Sequence, residues 1–124
     1  MNNLQQAVIE QLGYQELDKE CLGTLEDVSS YGAGGGYGQF LYYADTVKFA
    51  ENNLSDIKDH LKNMADQIGH DGIYSLIASF QCIDSNVDQV ADTINDPESD
   101  DYTQVMNALA WYALEETARE LTDN

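Results

Sequence analysis

The chain has 124 residues and carries 23 Asp and Glu against five Lys and Arg, a formal net charge of −18 at neutral pH. A surface of this sign repels nucleic-acid phosphates and anionic membranes and attracts basic protein surfaces, so direct nucleic-acid or membrane binding is excluded as the expected activity. With 43% apolar residues, eight Tyr, three Phe and Trp111 spread along it, the sequence is expected to fold as a single domain, residues 1–124, rather than to stay disordered.

One proline, Pro97, and no sustained alternation of apolar and polar residues predict an all-α fold, a compact domain of about six or seven short helices. Leu4, Ala7, Val8, Gln11 and Leu12 form a short amphipathic start that ends at Gly13. A second segment, from about Gln15 to Val28, puts Leu17, Cys21, Leu22 and Leu25 on one face. The glycine-dense piece YGAGGGYG, Tyr31 to Gly38, is read as loop. Phe40, Tyr43, Ala44 and Val47 then recur at helical spacing, and the run FLYYA is dense enough for a central core helix, with a strand left open for its first residues.

Ser55 is read as the N-cap of the next helix, whose Ile57, Leu61, Met64 and Ile68 make one stripe that Gly69 stops. Ile73 to Phe80 reads as a short apolar helix, and Asp84 or Ser85 as the cap of another that buries Val87, Val90, Ala91 and Ile94. Asn95 to Asp100, broken by Pro97, is a turn. The last helix runs from near Asp101, with Gln104 as capping partner, to about Leu121. The N-terminus lacks the pattern of a signal peptide and no 18 apolar residues run together, so a soluble, unexported protein is expected, with Cys21 and Cys82 as free thiols.

Motifs for catalysis or cofactors fail in turn. Counting from Gly32, the sixth position of a dinucleotide loop is Tyr37, and no lysine follows the glycines for a phosphate loop. Asp84, Asn86 and Asp88 resemble the start of a calcium loop, but Gln89 stands where the turn glycine belongs and Asn95 where the bidentate Glu belongs. His60 and His70 lie ten apart without zinc-ligand spacing and read as surface or boundary residues. No serine sits in a nucleophile elbow. The expectation is no enzyme, no catalytic residue, no metal and no cofactor.

The carboxylates are the remaining signal. Asp84, Asp88 and Asp92 fall at i, i+4 and i+8, one helix face with side chains about 6 Å apart, and like charges at that spacing cost roughly 0.2–0.5 kcal/mol per pair. Asp96, Glu98, Asp100 and Asp101 carry the negative stretch through the turn, and Glu115, Glu116 and Glu120 offer a second patch. No Lys or Arg occurs between Lys62 and Arg119. Spread evenly over about 6,600 Å², the net charge is one per ~370 Å². B-form DNA carries about one per ~110 Å². Only gathered on one face would the charge approach DNA.

Two segments, GQFLYYADTVKFAENN (Gly38 to Asn53) and NALAWYALEETARELT (Asn107 to Thr122), resemble a group of short, largely uncharacterised bacteriophage-encoded proteins. In that group a glycine-containing loop precedes a YY-x-DT helix, and an LAWFAFEETA-like helix closes the chain. Tyr112 and Leu114 replace the group's usual Phe residues. The resemblance implies phage origin and transfers no catalytic residue.

Charge and resemblance together lead to the expectation of an anti-defence inhibitor in the bacterial host cytoplasm, monomeric or homodimeric. It would be a DNA mimic occupying the positively charged nucleic-acid-binding surface of a host CRISPR effector or restriction nuclease. The alternative is a phage accessory or regulatory protein that binds a host factor through an apolar surface, its acidity serving solubility only.

Overall fold

A computed structural model describes residues 1–31, 46–68, 96–100 and 102–122. Among the described residues the fold is all-α: five helices and no strand. The segments Phe40 to Ala44, Ile73 to Phe80 and Asp84 to Ile94, and the glycines from Gly32 to Gly38, lie outside the described residues.

Helix α1 (Asn3–Gln11) starts from a reciprocal cap. Asn2 Oδ1 accepts the Gln5 N–H at 2.8 Å, and Gln5 Oε1 accepts the Asn2 N–H at 3.0 Å, so two otherwise unsatisfied donors are paired. It ends at Gly13, whose φ of 97° is open to glycine without the steric penalty a Cβ would meet. Gly13 N–H reaches Glu10 O at 3.0 Å and Tyr14 N–H reaches Ile9 O at 3.1 Å, the two bonds of a Schellman stop. Leu4, Val8, Ile9 and Leu12 are buried along one side.

Helix α2 (Lys19–Tyr31) is capped by Asp18, whose Oδ1 accepts the Cys21 N–H at 2.8 Å. Cys21, Leu25 and Val28 are its buried stripe. Leu17 is not part of that stripe: it precedes the cap and is 38% exposed, because the helix begins four residues later than the apolar pattern alone implies. Tyr14 and Thr24 join hydroxyls at 2.8 Å and so pin the connecting segment onto α2.

Helices α3 (Thr46–Asn52) and α4 (Leu54–Ile68) meet at Asn53. Its N–H and its side-chain Nδ2 both donate to Phe49 O, at 3.1 and 2.9 Å, while its own carbonyl accepts the Ile57 N–H at 3.0 Å. One residue thus closes α3 and opens α4, so the helix start lies at Asn53 and not at Ser55, which is already inside α4. Phe49, Ala50, Ile57 and Leu61 are buried, and Val47 is half-buried against the same core.

After a turn at Asp96 to Asp100 comes α5 (Tyr102–Thr122). Val105, Met106, Ala108, Leu109, Ala110, Tyr112, Ala113, Leu114 and Ala118 are all buried, positions that go round the whole helix. Burial on every side makes it the central element. Helices α1, α2 and α3 each pack on it, and α4 packs on α1 and α3. Thr46 adds a buried hydroxyl bond to Asn107 Oδ1, joining α3 to α5. No described helix is long and apolar enough to cross a membrane.

Two glycines should respond to the same substitution with opposite sign. Gly13→Ala is expected to cost about 1 kcal/mol because a Cβ at positive φ is strained. Gly23 lies inside α2 with nothing within 4 Å of a built Cβ, so Gly23→Ala should add about 0.5–1 kcal/mol of stability. Urea unfolding of the two variants reads both shifts; equal signs would contradict this account of the backbone.

Candidate functional site

The sequence-predicted carboxylates divide between the ends of α5. Asp96, Glu98 and Asp100 are exposed in the turn that precedes it. The turn is held by Ser99 N–H on Asp96 O at 3.1 Å and Glu98 N–H on Asp96 Oδ1 at 3.2 Å. There they face the positive end of the helix dipole, which favours them although α5 itself has no acid in its first turn. Asp84, Asp88, Asp92 and Asp101 lie outside the described residues.

Glu115, Glu116 and Glu120 sit near the opposite end, roughly 20 Å along the axis at 1.5 Å per residue, so the structure does not merge the two groups into one patch. Two of these carboxylates also have protein partners. Glu116, with a side chain 12% exposed, takes Arg119 Nη2 at 2.6 Å and Nε at 3.1 Å. Glu120 lies 3.4 Å from His60 Nε2. Glu115, Glu116 and Arg119 border a groove of about 190 Å³ together with Val28 and Ser29 of α2.

A stronger acidic surface appears where the motif search found none. Along α1, α2 and their connection, Glu10, Glu16, Asp18, Glu20, Glu26 and Asp27 are all exposed, with Lys19 as the only base up to Tyr31. By contrast, from Thr46 to Asn63 the acids Glu51, Asp56 and Asp59 are matched one for one by Lys48, Lys58 and Lys62. Among the described residues the charge is therefore uneven along the chain: residues 1–31 carry six acids against one lysine, whereas α3 with the first part of α4 is neutral. A segment-by-segment charge count would have found this; searching for acids at helical spacing did not.

The most elaborate side-chain arrangement among the described residues joins α4 to α5. His60 Nδ1 lies 2.7 Å from the Tyr112 hydroxyl, the two rings pack edge to face at 5.4 Å, and Glu120 faces the other ring nitrogen. Tyr112 is fully buried. Burial first, then the carboxylates of Glu116 and Glu120, push its phenol well above the usual range, against a smaller opposite effect of Arg119. The hydroxyl therefore keeps its proton and shares one hydrogen bond with His60 Nδ1.

Both imidazole nitrogens are thus committed to protein partners, and the arrangement works as a polar tie between helices. Beside it a cleft of about 240 Å³ is lined by Asn2, Asn3, Leu4, Asp56, Asp59, His60 and Asn63. Reading His60 as a boundary residue matches its 13% side-chain exposure, whereas its partners, 52 and 60 positions away, left no local trace. Among the described residues no group of three or more His, Cys, Asp or Glu is placed to hold a metal ion.

Cys21 is a free, buried thiol. Burial, and secondarily the Asp18 carboxylate, push it up to about 11. A group held protonated in the fold stabilises it below the thiol's unfolded pKa, and that contribution is lost as pH rises from about 9 towards 11. Alkylation of Cys21 at pH 8, followed by peptide mass spectrometry, should run at least about 100-fold slower in the folded protein than in urea. Equal rates would contradict the burial.

Among the described residues these observations define a strongly acidic, all-helical fold organised round α5, with its charge unevenly distributed. The chain belongs to the family described as a domain of unknown function (DUF7222), which it matches over residues 1–124. No curated protein matches it, and no solved structure does.

Proposed function

We propose that the protein is a bacteriophage-encoded anti-defence inhibitor that mimics DNA and occupies the positively charged nucleic-acid-binding surface of a host CRISPR effector or restriction nuclease. The observation that carries this reading is the net charge of −18 together with its uneven distribution over the helices. Phage origin rests on the resemblance of the YY-x-DT and LAWYALEETA segments.

Carboxylates stand where phosphates would, and long-range attraction supplies fast association with a steep salt dependence. No chemical step is required. The contact residues are Asp84, Asp88, Asp92, Asp96, Glu98, Asp100 and Asp101, with Glu115, Glu116 and Glu120 as a second patch and the exposed acids of α1 and α2 as a third. In this reading the inhibitor works in the host cytoplasm, as a monomer or homodimer. The reading keeps six or seven short helices for the complete fold.

The test is a pull-down from bacterial lysate containing CRISPR and restriction complexes, with bound protein eluted by a salt gradient. A DNA-binding complex released at moderate salt and displaced by duplex DNA is the expected result. Asp88→Lys with Asp92→Lys should abolish capture while circular dichroism stays unchanged. A partner without a nucleic-acid channel, or one retained at high salt, would overturn the mimic and favour recruitment through an apolar surface.

A further inference from the structure

We draw no further inference here: the strongest candidate, the cleft between the start of α1 and α4 beside His60, joins a helix N-terminus to the carboxylates of Asp56 and Asp59, and nothing in the structure points to a ligand for it.

Discussion

Tyr112→Ala is expected to cost about 3–5 kcal/mol of stability, the range for deleting a fully buried aromatic ring. Against a total of about 5–15 kcal/mol for a domain of this kind, that is a large fraction. Two effects combine. The ring fills the centre of the core on α5, and its hydroxyl is the hydrogen-bond partner of His60 across the α4–α5 seam. Tyr112→Phe separates them: packing is kept, and the loss should fall to about 1–3 kcal/mol, the range for leaving a buried polar partner unsatisfied.

Urea unfolding followed by circular dichroism measures both variants, with an unchanged slope showing that only stability has moved. A Phe variant as damaging as the Ala variant would mean that the polar tie, and not the ring volume, holds the seam. An Ala variant costing under about 1 kcal/mol would contradict the central position of α5.

The second large effect concerns binding. Neutralising Glu10, Glu16, Glu26 and Asp27 together, as Gln and Asn, removes four exposed carboxylates from the acid-rich segment of residues 1–31. Each exposed ion pair contributes about 0.2–1 kcal/mol, so capture of a basic partner should weaken by about 1–4 kcal/mol. That is a factor of roughly 5 to 1,000 in Kd. The salt slope should fall in step.

Asp59→Asn, an exposed acid on the charge-balanced segment, is the control and should leave binding nearly unchanged. Fold stability should hold or rise slightly in the fourfold variant, because self-repulsion is relieved and the sites are exposed. Glu20 is left in place because it lies in the first turn of α2, where a carboxylate complements the helix dipole. Titration of each variant against the captured complex, at two salt concentrations, decides the matter. If the fourfold variant binds as tightly as the parent, α1 and α2 are not the contact surface.

What could be read from the chain was what local chemistry determines. Gly13 marks the end of α1 because only a residue tolerant of positive φ fits there. The last helix is legible because its apolar content is continuous over many turns. Boundaries set by side-chain caps were harder. Leu17 looks like a core residue until Asp18 is recognised as the cap that starts α2 after it, and Ser55 looks like a cap until Asn53 is seen bonding in both directions.

Contacts across sequence distance were not legible at all. Nothing in the neighbourhood of His60 announces Tyr112 or Glu120, since the link exists only once α4 lies alongside α5. For the candidate site, reading acids by helical spacing singled out the row Asp84, Asp88 and Asp92, which the described residues do not include. It passed over residues 1–31, whose acids are irregularly spaced and are united only by being exposed.

The position of α5 also governs how the molecule is made. Helices α1, α2 and α3 leave the ribosome first, yet the surface each of them covers belongs to a helix translated after all three. Until Tyr102 to Thr122 has emerged, Leu4, Val8, Cys21, Leu25 and Phe49 have no partner from that helix, and folding cannot proceed element by element in the order of synthesis. During that interval the nascent chain is kept apart from its neighbours by the same density of carboxylates that marks its finished surface, since growing chains of like charge repel one another.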